Sequence, residues 1–122
     1  MQQRQIRGSV AYHSGRAAEG AVARHYQDTG HSVLSERWRG PFGEIDLILR
    51  DKDELVFVEV KKARSHAQAA ERVTPRQVGR ILRSASDYLR GEPAGQMTPC
   101  RVDVALVDVF GRVEILHNAL AA

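Results

Sequence analysis

Asp46 lies on one short apolar segment, and Glu59 and Lys61 lie two residues apart on the next. The segments are Glu44-Ile45-Asp46-Leu47-Ile48-Leu49-Arg50 and Leu55-Val56-Phe57-Val58-Glu59-Val60-Lys61, joined by the polar run Asp51-Lys52-Asp53-Glu54. Both are rich in strand formers, and so short a connection predicts an antiparallel hairpin. Side chains alternate along a strand. Glu44, Asp46 and Ile48 are therefore expected on one face, and Phe57, Glu59 and Lys61 likewise. A turn flanked symmetrically by Asp51 and Glu54 puts Asp46 opposite Glu59, and Glu44 opposite Lys61. Directly opposed side chains have Cβ atoms about 4.5–5.5 Å apart. Two carboxylates at that range repel, more strongly as water is excluded.

A divalent cation would offset that repulsion, and hard cations such as Mg²⁺ or Mn²⁺ prefer oxygen ligands. Such a centre suits phosphodiester hydrolysis. The cation lowers the pKa of a bound water and polarises the phosphoryl group. Lys61 is placed to orient the water or to stabilise transition-state charge. Asp46, Glu59 and Lys61 are thus the candidate catalytic residues, Asp46 and Glu59 the candidate metal ligands, and Glu44 a possible addition. The alternative is bland: Glu44 and Lys61 as a surface cross-strand pair, and Glu59 as a solvated charge at a strand end.

Other elements must position this hairpin. Residues 9–29 read as a helix, with Tyr12, Gly15, Glu19, Val22, Ala23 and Tyr26 on one face and Gly30 as its C-terminal cap. Glu19 is a carboxylate within that inward stripe, a further ligand or an outer base. Residues 32–39 read as a strand broken by Gly40, Pro41 and Gly43, and 62–73 as a loop. Thr74 and Pro75 open a second helix with an apolar stripe of Val78, Ile81, Leu82, Ala85 and Leu89, ended by Gly91 and Pro93. Val102–Val109 and Arg112–Leu116 read as strands. The strand ending at Lys61, the second helix and the strand from Val102 form a βαβ unit, whose strands should be parallel. The expected class is α/β, a mixed central sheet flanked by helices in the order α-β-β-β-α-β-β. Residues 1–8 are expected to be a flexible N-terminus and 9–122 a single domain.

Composition is that of an ordinary globular chain, 43% hydrophobic and 27% charged, so a disordered or fibrous class is excluded. No apolar run approaches the ~18 residues of a membrane span, and no apolar stretch follows the basic N-terminus. The expectation is a cytoplasmic protein without a membrane partner. The net charge of +3 and pI near 9.4 are compatible with nucleic acid. The lone Cys100 begins an apolar run and is expected to be a buried, inert thiol. His13, His25, His31, His66 and His117 have no zinc-site spacing, and no phosphate-binding loop of the NTPase kind is present.

The combination Gly43-Glu44-Ile45-Asp46-Leu47-Ile48, Phe57-Val58-Glu59-Val60-Lys61 and Val73-Thr74-Pro75-Arg76 resembles the YraN family of predicted endonucleases. The resemblance runs from about Gly15 to Asn118. It implies a restriction-endonuclease-like fold of the PD-(D/E)xK superfamily, to which Holliday-junction resolvases also belong. By that resemblance Asp46 is the metal-binding aspartate, Glu59 and Lys61 are the (D/E)xK pair, and Glu19 is the helical glutamate, a catalytic and metal-binding position. The chain departs from the family pattern at Gln77 and Val78 and in the run Lys62-Ala63-Arg64. The implied activity is a Mg²⁺- or Mn²⁺-dependent DNA endonuclease acting in repair or recombination on branched or single-stranded DNA, as a monomer or a homodimer. The alternative is a catalytically inactive nucleic-acid-binding module that retains the fold. Candidate nucleic-acid contacts are Arg37 and Arg39 around Trp38, Lys62 and Arg64 after the hairpin, and Arg76, Arg80 and Arg83, with Arg90, along the second helix opposite its apolar stripe.

Overall fold

The structure is a computed structural model, which describes residues 16–119. Five strands form one sheet in the order β1-β2-β3-β4-β5: Ser32–Gly40, Gly43–Asp51, Glu54–Lys62, Cys100–Val107 and Val113–Leu116. Every neighbouring pair is antiparallel except β3 and β4, which are parallel as the βαβ reading requires. The helices are α1 (residues 16–27), α2 (His66–Glu71) and α3 (Pro75–Leu89), followed by a 3-10 turn, Gly95–Met97. Tyr12, Gly15 and the expected flexible residues 1–8 lie outside the described residues.

The sheet is covered on both faces, which is why β3 carries the unbroken buried run Leu55–Val58 rather than alternating polarity. On one face Ala18, Val22, Ala23 and Tyr26 of α1 pack on Leu47, Leu49, Val56, Val58, Ala105 and Val107. On the other, Ile81, Ala85 and Leu89 of α3 pack on Ile45, Ile48, Leu55, Phe57 and Val102. Helix α2 extends that second layer, with Ala69 against Ala63, Val104 and Leu106.

The local signals that end and begin these helices act as their residue types dictate. Gly30 takes φ +90°, and the pair of bonds Gly30 N–H to Gln27 O and His31 N–H to Tyr26 O closes α1. Thr74 and Gln77 form a reciprocal capping box at the start of α3, with Pro75 at the first helical position. One buried carboxylate anchors the far side of the sheet. Asp103 accepts from Tyr26 Oη (2.7 Å), Arg101 Nε (3.1 Å) and the Asn118 amide (2.8 Å).

Several expectations need correction. Residues 62–73 are not a loop: β3 runs through Lys62, and Ser65 caps α2 by accepting from the Gln68 amide. The order is therefore α-β-β-β-α-α-β-β. Leu82 is 48% exposed, and the small residue Ser84 is buried beside Ile81 and Ala85 instead. Cys100 is exposed, since it opens β4 at the sheet's end. Its thiol is pushed up by partial desolvation and by Glu54, so it is not activated.

Candidate active site

The hairpin register is the expected one from Asp51↔Glu54 to Leu47↔Val58, and there the backbone ladder stops. At the next position Asp46 Oδ2 accepts the Val60 amide at 2.8 Å, a side chain replacing a strand partner. The alternation also breaks here. Ile45 joins Ile48 in the α3-side core, whereas Leu47 and Leu49 belong to the α1-side core. Asp46 thus stands where β2 and β3 part, within the electrostatic reach of Glu59, Glu19 and Glu44.

Four carboxylates and four cations share this corner. Glu59, only 6% exposed, contacts Lys61 (Oε1 to Nζ, 3.2 Å) and lies 4.0 Å from Arg80 Nη2. Glu19 accepts from Arg37 Nε at 2.9 Å. Glu44 lies 4.0 Å from Arg39. Among the described residues Asp46 alone of the four has no cation of its own. Burial first, and the charge of Glu59 second, push its carboxyl up from 3.8 to about 7, against the Val60 hydrogen bond that lowers it.

Arg37 reaches Glu19 from an unusual backbone. Its φ is +53°, although it sits inside β1 between Glu36↔Leu47 and Trp38↔Ile45, across from Asp46. A left-handed conformation in a non-glycine residue costs roughly 1–2 kcal/mol and tends to persist at functional sites. Gly43 shows a second close approach. It has φ +127°, and a Cβ there would lie 2.9 Å from Arg80 Nη1. The absence of a side chain at Gly43 is what lets Arg80 reach across β2 to Glu59.

The geometry reassigns several candidate contacts. Arg80 is not on a solvated face but packs into the acidic centre, and Arg37 and Arg39 face carboxylates. Arg64, Arg76 and Arg83 are exposed, and Lys62 is half-buried at the end of β3. Trp38 is core-like: its ring meets Tyr88 edge-on at 5.4 Å and packs with the α3-side cluster. The Arg80–Glu59 contact was missed because Arg80 precedes the buried Ile81. It therefore lies on the flank of the apolar stripe rather than opposite it.

The donor set fits a hard cation. Among the described residues no three of His, Cys, Asp and Glu stand together as a preformed cage. Asp46 and Glu59 offer two carboxylates, and Mg²⁺ commonly binds through one or two carboxylates while keeping several waters. The set does not suit zinc, which takes four closed ligands in structural sites and three protein ligands in catalytic ones. Glu19 gives one oxygen, Oε2, to Arg37 and keeps Oε1 as a further donor.

Sequence comparison agrees over most of the chain. The model of the uncharacterised protein family UPF0102 matches residues 18–107, which span Glu19 and the whole acidic corner. A UPF0102 protein of Cereibacter sphaeroides is 57% identical over 115 residues, covering 94% of this chain and 98% of the relative. Another, from Ruegeria pomeroyi, is 51% identical over 113 residues, covering 93% and 92%. A third, from Dinoroseobacter shibae, is 45% identical over 115 residues, covering 94% and 86%. The chain belongs to the uncharacterised protein family UPF0102, the YraN family that its hairpin motifs resemble.

Proposed function

We propose that this protein is a divalent-metal-dependent endonuclease that hydrolyses DNA phosphodiester bonds, on branched or single-stranded DNA in repair or recombination. The observation that carries this reading is the half-buried Asp46. Among the described residues it has no cation of its own, and it stands beside Glu59, whose charge Lys61 meets at 3.2 Å. A fold that tolerates a partly desolvated carboxylate there without a close ion pair is arranged for a further positive group.

Asp46 and Glu59 would hold Mg²⁺ or Mn²⁺, which supplies Lewis-acid polarisation of the phosphoryl group and a water of lowered pKa. The residues of the chain do the rest. Val60 N–H fixes the Asp46 carboxylate, leaving its second oxygen for the centre. Lys61, held against Glu59, presents an ammonium to the attacking water and to the charge that grows on the phosphoryl oxygens. Water adds to phosphorus, one P–O bond breaks, and the departing oxygen takes a proton. Arg80 is the nearest further donor for a phosphate oxygen.

Titration calorimetry of Mn²⁺ into wild type and Asp46→Asn tests the centre without knowledge of the substrate. Binding by wild type that the variant loses supports it, and Asp46→Asn should then also lose metal-dependent cleavage of labelled DNA. Equal cleavage by both proteins would refute the assignment. Salt-dependent DNA binding with no metal uptake and no cleavage would favour the inactive binding module.

A further inference from the structure

The turn that closes the β1–β2 hairpin, Pro41-Phe42, takes no part in the acidic centre, yet both of its flanks are fixed against α3. Gly40 lies under the Trp38 indole, where a Cβ would come within 2.5 Å of the ring. That indole is braced on Tyr88, which in turn meets Phe57 edge-on at 5.8 Å. Gly43, on the other flank, lies under Arg80. Between these two clamps Phe42 stays 47% exposed. A single exposed aromatic is ordinary; this one stands on a held turn and lines a shallow cavity with Arg83, Ser86, Asp87 and Arg90.

The cations beside it form a row. Arg76 and Arg83 of α3 and its C-cap Arg90 recur at seven-residue intervals, so they share one face, and all three are exposed. Arg80 sits between them and ends on Glu59. Among the described residues Asp87 tempers the row, pairing with Arg90 at 3.4 Å. At 1.5 Å rise per residue, Arg90 lies about 15 Å along the helix from Arg80.

We propose that Phe42 stacks on an unpaired base of single-stranded DNA, whose backbone follows Arg90 and Arg83 toward Arg80 and the acidic centre. The charge of the row matches phosphate, and an exposed ring beside such a row is the arrangement that holds unpaired bases. A base within a duplex is already stacked on both faces and offers the ring nothing. The direction toward the centre rests on the nuclease reading; the stacking contact does not.

Fluorescence anisotropy tests the contact on the full chain, at low salt and in EDTA so that nothing is cut. The probes are a fluorescein-labelled oligothymidylate and a blunt duplex of equal length. Phe42→Ala should bind the single strand about tenfold more weakly, with duplex affinity unchanged within about twofold. Phe42→Trp should restore single-strand affinity, and its emission above the Trp38 background should be quenched by the oligothymidylate. Equal single-strand binding by Phe42→Ala and wild type, equal losses on both probes, or an unquenched Phe42→Trp would each overturn the proposal, as would a wild type that does not bind the single strand. Mn²⁺ calorimetry on Phe42→Ala should match wild type. A failure of metal uptake with the Phe42 pattern intact would remove the hydrolytic reading and leave the stacking surface standing.

Discussion

Replacing Asp46 by asparagine should make the metal-free protein more stable at alkaline pH and leave it nearly unchanged at acid pH. Asparagine keeps an oxygen for the Val60 amide, so the local hydrogen bond survives. What it removes is the cost of ionising a desolvated carboxyl beside Glu59. The carboxyl goes from 3.8 when unfolded to about 7 in the fold. A raised folded-state value means that ionisation is resisted by folding. The stability attached to the protonated form is fully present below about pH 4 and is lost as the pH rises to about 7, with little further change above. Roughly three pH units at 1.36 kcal/mol each give up to about 4 kcal/mol of destabilisation at pH 8. Urea unfolding in EDTA at four pH values between 4.5 and 8.5 measures it, since titrations common to both proteins cancel in the difference. The asparagine variant should gain on wild type by about 2–4 kcal/mol across that range. Saturating Mn²⁺ should return most of the difference to wild type and none to the variant. A difference that is flat with pH, or that falls as pH rises, would refute the claim that Asp46 is a partly desolvated carboxylate without an ion-pair partner.

Lys61→Met should lower metal-dependent cleavage by about a hundredfold or more while Mn²⁺ still binds, read by gel assay and calorimetry together. Tyr26→Phe removes the 2.7 Å donor to the fully buried Asp103 and should cost about 1.5–3 kcal/mol in urea unfolding, with no change in metal binding. Ser84→Ala should be neutral to stabilising by about 1 kcal/mol, because the buried Ser84 Oγ has no hydrogen-bond partner among the described residues and alanine suits a helix better.

The hairpin was legible because its signals agree: β-branched runs, a short polar turn, and a register that the turn sets for the pairs Asp51↔Glu54 to Leu47↔Val58. Legibility ended at Asp46, where a side-chain oxygen replaces the ladder and the alternation slips, since period-2 reasoning assumes an unbroken strand. Helix α2 escaped because six residues, His66–Glu71, carry too few turns for an apolar stripe to show, although the Ser65 cap and three alanines were available as signals. Leu82 was misplaced because hydrophobicity alone does not say how wide a stripe the sheet will cover. The left-handed Arg37 and its bond to Glu19 depend on how α1 lies over β1, and no local pattern encodes that.

The conformation of Arg37 also bears on how copies of this chain could meet. β1 is an outer strand of the sheet, and an outer strand presents unpaired backbone groups on which a neighbouring chain can grow. In β1 that template is spoiled twice, by the register shift between Val33 and Ser35 and by the turned backbone at Arg37. Glu36, Arg37 and Arg39 add exposed charge along it. At the opposite edge β5 has only four residues. Among the described residues neither border offers a long regular strand on which a second copy could extend the sheet. The same strained residue that bonds Glu19 thereby interrupts the regular edge on which a sheet would grow.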